Sequence, residues 1–138
     1  MGGFTLLEHT ADIGISAYGD KLEEALAWLA VGMFSLIVEP STVVAARTKV
    51  ISVVSSDRDA LVVDWLNELV YQYETTGFLM KDFQVSLNQE GTRLEALCGG
   101  ETLDPGRHHI LTVIKAATYH ALSVTHNQQW QVRVFLDI

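Results

Sequence analysis

The spacing of apolar residues changes from a helical period to a strand period along this sequence of 138 residues. From 20 to 38 apolar residues recur every three or four positions, at Leu22, Leu26, Leu29, Met33 and Ile37. The same spacing returns from 56 to 76, at Leu61, Trp65, Leu69 and Tyr73. From residue 82 onward the pattern becomes strand-like, and it alternates clearly in 130–138. The sequence therefore predicts an α+β fold, with two amphipathic helices packed on a largely antiparallel or mixed β-sheet layer and a strand-rich C-terminal half.

Polar residues, glycines and β-branched residues indicate the ends of several elements. Asp20, with Glu23 three residues later, is predicted to cap the first helix. Gly77 is predicted to end the second helix, and a hairpin is predicted to turn near Gly91. The segment 111–124 fits a strand or a helix, and its Thr, Val, Ile and Tyr content favours mostly strand.

Composition limits both the location and the class of partner. The net charge of −8 disfavours strong direct binding to nucleic acid, which requires a basic surface. The longest apolar stretch, 25–38, is interrupted by Gly32 and Ser35 and is shorter than the roughly 20 residues of a membrane span. Cys98 is the single cysteine and is predicted to be an unreactive core residue. We therefore expect one domain, 1–138, that is soluble and cytoplasmic; the sequence does not indicate an oligomeric state.

The segment "EHTADIGISAYGD" places Asp12 in an apolar, strand-like run, either as part of a second short strand or of one bent strand. Burying an unpaired charge in a strand costs several kcal/mol. Asp12 is therefore expected to lie on a solvent-exposed face of its strand or to have an interaction partner elsewhere in the sequence. The final strand offers one, because Asp137 lies on its more polar face and Ile138, the next and last residue of the sequence, carries an α-carboxylate. If the two strands are neighbours, three oxygen donors come together.

Such a cluster suits a hard divalent cation such as Ca²⁺, Mg²⁺ or Mn²⁺. On spacing alone, the alternative of unrelated surface carboxylates stays open, since two aspartates and a chain end are common. The histidines show no zinc-site spacing. Asp64 and Glu68 share a helix face and fit either an acid–base pair or a solvated surface. Lys115 interrupts an apolar run and fits either a buried lysine paired with the carboxylates or a strand lysine that extends to solvent.

Several stretches together resemble the archease family. They are "EHTADIGISAYGDKLEEALAWLAVGMFSLI", "LVVDWLNELVYQYE", "IKAATYHAL" and the terminal "VFLDI", and they span nearly the whole sequence in the order found in the family. The H-T-A-D opening and the D-I ending are the most distinctive parts.

The resemblance implies a function as an accessory protein rather than an enzyme, so no catalytic residue is assigned. Archeases assist RtcB-type RNA ligases of tRNA splicing and RNA repair, by promoting guanylylation of the ligase and its multiple turnover. The family's metal site, usually described as calcium-binding, corresponds here to Asp12, Asp137 and Ile138. Lys115 matches a lysine treated as functionally important, whereas His9 and His120 match motif positions to which we assign no role.

Two alternatives remain at the level of the sequence. One is a metal-dependent phosphohydrolase that needs no partner, although the sequence has no nucleophile elbow and no phosphate-binding glycine loop. The other is a chaperone or modulator of a different RNA-modifying enzyme.

Overall fold

The computed structural model describes residues 2–8 and 12–138. In chain order the elements of this described part are β1 (Gly3–Glu8), β2 (Asp12–Gly19), α1 (Leu22–Ile37), a short 3₁₀ helix (Pro40–Thr42), β3 (Arg47–Val54), α2 (Arg58–Thr76), β4 (Phe78–Leu87), β5 (Arg93–Thr102), β6 (Ala116–Asn127) and β7 (Gln129–Asp137). The predicted α+β class, the two helices and the strand-rich C-terminal half are confirmed.

The strands form two antiparallel sheets rather than one layer. One sheet has four strands in the order β1-β2-β7-β6, and the other has three in the order β3-β5-β4. β1 and β2 are thus two separate strands that pair with each other, not one bent strand, and β2 is an inner strand of its sheet. Because β7 is the other inner strand, the first and last thirds of the sequence meet in the four-stranded sheet.

Helix α1 begins later than the predicted cap. The residue before its first turn is Lys21, whose side chain makes no capping hydrogen bond. The carboxylate of Glu24, at the third helical position, instead accepts a hydrogen bond from the backbone N–H of Asp20, at 2.7 Å. The prediction of Asp20 as N-cap with Glu23 as its partner was therefore wrong by one residue. One of the two bonds of a capping box is still approximated, because the side chain of Glu24 accepts from a backbone N–H at the start of the helix.

Helix α2 has the ends that its sequence indicates. Asp57 is the N-cap, and its carboxylate accepts from the backbone N–H of Ala60 at 2.8 Å. Gly77 ends the helix in the left-handed conformation, φ 70°, as predicted. The helix is held to α1 by the indole of the fully buried Trp65, which donates to the carbonyl of Leu26 at 3.0 Å.

The segment predicted as mostly strand is a strand only from Ala116 onward. Its pairing with β7 shifts between Thr118 and Ser123, where Ala121 has a positive φ of 52°. This irregularity is a β-bulge, which redirects side chains along an edge strand. The predicted hairpin between β4 and β5 is confirmed, with Gly91 at φ 74° in its turn.

The core lies between the helices and the two sheets. Helix α1 packs on β2 and β4, one strand from each sheet, and α2 packs mainly on β6 and β3. The largest fully buried side chains come from both helices and from strands of both sheets, and they include Trp65, Phe78, Leu26, Leu29, Met33 and Ile15. None of the described helices is long and apolar enough to cross a membrane.

Candidate metal centre at the end of the β2–β7 ladder

Asp12 and Asp137 lie directly opposite each other on neighbouring strands. Asp12 is the first residue of β2 and Asp137 the last of β7, and the antiparallel register pairs them. Side chains of directly opposed residues point to the same face, with Cβ atoms about 4.5–5.5 Å apart. The two strands are therefore neighbours, the condition on which the predicted cluster depended.

The pair lies at the solvent-facing end of the sheet. Asp12 is half-buried, whereas Asp137 and Ile138 are exposed, Ile138 by 40%. Oxygen donors placed in this way reach solvent and can exchange an ion without opening the core. We call Asp12, Asp137 and Ile138 the acidic tip.

Alternation along β2 sets the face on which Asp12 lies. Ile15 is fully buried on the helix-facing side, where its partner Val134 is also fully buried. Gly14 and Asp12 point to the opposite face. There the ring of Phe135 lies so close to Gly14 that an added Cβ would stand 2.8 Å from it. Gly14 therefore makes room for the aromatic ring beside the acidic tip.

Phe135 lies on the face of β7 that the sequence pattern predicted to be the more polar one, yet it is buried. It is only 5% exposed, although it alternates with polar residues and lies outside the main core. Its ring contacts that of His120, with centroids 5.9 Å apart and the planes at 66°. The outer face of the sheet thus carries an apolar contact next to the carboxylates.

The β6 bulge positions His120. The backbone N–H of His120 donates to the hydroxyl of Thr118 at 3.3 Å, and the guanidinium of Arg133 donates to the carbonyl of Ala121 at 3.1 Å. His120 itself is exposed. Its ring rests on Phe135, which stands two residues before Asp137 on the same face of β7. Sequence spacing did not show this proximity, because it depends on the bulge.

Lys115 lies immediately before β6 and beside Asp137. Its backbone N–H donates to the carbonyl of Asp137 at 2.8 Å, and its side chain is exposed. The alternative of a buried lysine was therefore wrong, and the alternative of a lysine that reaches solvent describes the structure.

The described side chains supply only part of the predicted donor set. His9 falls outside the described residues. Within 2–8 and 12–138, no group of three or more His, Cys, Asp or Glu side chains could hold a metal ion. Asp12 and Asp137 supply two carboxylates of the predicted set, and Ile138 is the third predicted donor. Carboxylate oxygens suit a hard cation by their chemistry.

Asp64 and Glu68 have structural partners of their own. The hydroxyl of Ser55 donates to Asp64 at 2.6 Å, and the amide of Gln72 donates to Glu68 at 2.8 Å. The first bond joins α2 to the residue that follows β3, and the second joins two neighbouring turns of α2. Both are as expected for a solvated helix face. Cys98 is fully buried in β5, and burial raises the pKa of its thiol to about 12, so the prediction of an unreactive core residue agrees with the structure.

A polar cluster that sequence spacing did not indicate surrounds Glu101. The side chain of His108 is fully buried, and its Nδ1 accepts from the backbone N–H of Asp104 at 2.9 Å. Its Nε2 lies 3.0 Å from the carboxylate of Glu101 and 3.1 Å from the carbonyl of Thr42. The adjacent histidines His108 and His109 were the available signal in the sequence. No local pattern, however, indicates that the partner of His108 is Glu101, seven residues earlier.

Comparison with known proteins identifies the family. The sequence profile of the archease protein family (MTH1598/TM1083) matches residues 4–138. The chain belongs to the archease family. Relatives named protein archease include that of Pyrococcus abyssi, 35% identical and matched over 95% of both chains. That of Methanosarcina mazei is 36% identical over 98% of this chain and 95% of the other.

Solved structures agree with the family assignment. The solution structure of protein 1598 of Methanobacterium thermoautotrophicum superposes with a TM-score of 0.86 at 34% identity, covering 99% of each chain. The crystal structure of an archease, possible chaperone, from Thermotoga maritima has a TM-score of 0.63 and 21% identity over 96% of this chain and 94% of that one. At that identity the second comparison supports the archease fold alone.

Proposed function

We propose that this archease is an accessory protein, not an enzyme, that activates an RtcB-type RNA ligase of tRNA splicing and RNA repair in the cytoplasm. It promotes guanylylation of the ligase and its multiple turnover. Family membership supports the role, and the observation that carries the site is the register of β2 against β7, which opposes Asp12 and Asp137.

The acidic tip is proposed to hold a divalent cation, with Ca²⁺ preferred and Mg²⁺ or Mn²⁺ as alternatives. Like charges on directly opposed strand residues destabilise a sheet, and shared coordination by Asp12 and Asp137 offsets that repulsion. The α-carboxylate of Ile138 completes the donor set. When bound, the cation supplies positive charge that phosphate oxygens can share.

The tip is proposed to dock at the nucleotide pocket of the ligase. With a net charge of −8, the protein is attracted to a basic surface, such as one that binds a nucleotide and RNA. The exposed side chains of Lys115 and His120 flank the tip and are proposed to contact the ligase or its nucleotide. His9 matches a motif position without an assigned role.

The test is single-turnover guanylylation of the RtcB-type ligase encoded by the same genome, with and without this protein. Wild type is expected to stimulate the reaction strongly. Asp12→Asn is expected to reduce that stimulation about tenfold or more. Mutating a residue that only hydrogen-bonds to a metal ligand already lowers metal affinity by about 10–100-fold, and Asp12 is itself a proposed ligand. Adding one glycine after Ile138, which moves the α-carboxylate, is expected to have the same effect.

Glu95→Gln is the matched control, because Glu95 is an exposed strand carboxylate of the other sheet. Circular dichroism of each variant separates loss of the tip from loss of the fold. Full stimulation by Asp12→Asn would contradict the proposed site, and a wild type without effect would contradict the ligase role. Phosphate release without any ligase would indicate the phosphohydrolase alternative, whereas protection of another RNA-modifying enzyme would indicate the chaperone alternative.

A further inference from the structure

A groove of about 670 Å³ runs between α1 and β4, and no residue of the acidic tip lines it. This is in the size range of ligand sites, about 300–1,000 Å³. Its floor is formed by Ala27, Trp28 and Val31 of α1, and its wall by the part of β4 from Lys81 to Val85. We call it the α1–β4 groove.

The wall of the groove is an open sheet edge. β4 is the outermost strand of the three-stranded sheet, and on its inner side it pairs only with β5. The bonded pairs alternate along this ladder, and the N–H of Asn88 donates to the carbonyl of Arg93. Counting back in twos from Asn88, Ser86 and Gln84 bond to β5 in the same way. The N–H and C=O groups of the alternate residues, Phe83 and Val85, therefore point away from β5, toward the groove.

This edge has few of the features that usually block strand addition. β4 is ten residues long and has no proline, and its bulge, between Met80 and Asp82, lies at the start of the groove-lining part, so the pairing is regular from Asp82 onward. Edges of this kind pair readily with an additional strand. The groove therefore offers backbone donors and acceptors in a row.

The floor of the groove favours apolar side chains. Nine residues of α1 are buried, and the half-exposed stripe that remains includes Ala27, Trp28 and Val31. The ring of Trp28 is held from the other side by Phe4 of β1, with centroids 6.4 Å apart. An incoming strand would place alternate side chains against this stripe.

The rim of the groove is acidic. Glu23, Glu24 and Asp82 line it, whereas the one lysine there, Lys81, has its ammonium group bonded to the carbonyl of Val43 at 2.9 Å. A second copy of the chain would bring another net charge of −8. Charge complementarity therefore favours a basic partner over self-association.

We propose that the α1–β4 groove binds an extended segment of a partner protein, which adds to β4 as a fourth strand. The segment carries apolar side chains at alternate positions, facing Trp28 and Val31, and basic residues that face Glu23 and Asp82. This surface is separate from the acidic tip, so it holds a partner without using Asp12 or Asp137.

The probe is a synthetic peptide of about 12 residues that alternates Lys and Val, long enough to cover the groove-lining part of β4. It is titrated into the full ¹⁵N-labelled chain and compared with a peptide that alternates Glu and Val. We expect the lysine peptide to shift the amides of Phe83 and Val85 and the indole of Trp28, and to slow hydrogen exchange at both amides. The glutamate peptide is expected to leave these signals unchanged.

Two variants localise the binding. Val85→Pro removes an N–H that points into the groove and is expected to weaken binding about tenfold or more, because proline is tolerated at a strand edge but blocks pairing there. Its matched control is Ser52→Pro in β3, at the opposite edge of the same sheet, where the N–H of Ser52 likewise points away from β5. The double variant Glu23→Lys/Asp82→Lys, which leaves the backbone intact, is expected to weaken the lysine peptide and to admit the glutamate peptide.

The outcomes separate the alternatives. No binding, shifts confined to the β3 edge or the acidic tip, or equal loss in Val85→Pro and Ser52→Pro would overturn the proposal. Equal binding of both peptides would overturn its basic partner. Concentration-dependent dimerisation that Val85→Pro abolishes would overturn it in favour of a second copy of the chain.

Discussion

Glu101 shows how a single carboxylate can join three parts of the chain. It accepts hydrogen bonds from both terminal nitrogens of the Arg107 guanidinium, from the backbone N–H of Val44 at 2.7 Å, and from the buried ring of His108. The bond from Arg107 first, and then that from Val44, lower the pKa of the Glu101 carboxyl to about 2. The carboxylate thus links the loop after β5 to the segment before β3.

This pKa predicts how stability depends on pH. Since the folded value lies near 2 and the ordinary value is 4.5, the ionised carboxylate stabilises the fold above pH 4.5. That contribution is lost as the pH falls from 4.5 toward 2. We expect Glu101→Gln to lower the free energy of unfolding in urea at pH 7 and to flatten its decline between pH 5 and pH 3.

Glu95→Gln, an exposed carboxylate of the same strand, is the control and is expected to behave as wild type. An unchanged pH slope in Glu101→Gln would contradict the assignment of this carboxylate.

At the scale of elements, Asn67 joins α2 to the edge strand β6. Its side-chain oxygen accepts from the backbone N–H of Ala117 at 2.8 Å, and its nitrogen donates to the carbonyl of Ala117 at 3.2 Å. Ala117 is 5% exposed, so its backbone groups would otherwise lie buried without these partners. The bond pair holds the start of β6, which follows Lys115 and pairs with Asp137 through Ala116.

Asn67→Ala is expected to destabilise the protein by about 1–3 kcal/mol, the cost of leaving buried polar groups unsatisfied. Urea unfolding measures the loss, and faster hydrogen exchange at the Ala117 amide localises it. Gln72→Ala is the control, because Gln72 bonds only to Glu68 on its own helix. Equal effects of the two variants would show that the bonds to β6 contribute little.

The elements differ in how far their sequences predicted them. Both helices were identified because their apolar spacing is local, and Gly77 marks the end of α2 in the same local way. The cap of α1 was misplaced because Asp and Glu residues cluster at its start and several arrangements satisfy the same N–H groups. The start of β6 was misplaced because a β-rich composition does not distinguish a paired strand from an extended segment.

For the whole molecule, the proposed cation links folding to binding. A ligand that binds only the folded state, at 100 times its Kd, stabilises it by about 2.7 kcal/mol. We expect Ca²⁺ in such excess to raise the free energy of unfolding of wild type by this amount, and a chelator to reverse it. Asp12→Asn is expected to show no such gain.

Urea unfolding at constant ionic strength measures this effect without any ligase, and Glu95→Gln again serves as control. Equal stabilisation of all three proteins by Ca²⁺ would indicate general screening of the acidic charge instead of a site.

The α+β class, the positions of the two helices, the acidic net charge and the three candidate oxygen donors could all be predicted from the sequence. These follow from local periodicity and composition, which each segment carries independently of its neighbours. The resemblance of several separate segments to one family also lay in the sequence alone.

Strand pairing, in contrast, is a property of the folded chain. The separation into two sheets, the opposition of Asp12 and Asp137, the placement of His120 on Phe135 and the open edge of β4 all depend on strand order and register. Strand partners distant in sequence are chosen by how the whole core packs, since any alternating strand presents the same pattern to many neighbours. For this reason Asp12 and Asp137 could both be named as candidate ligands from the sequence, but only the folded sheet shows that they lie opposite each other.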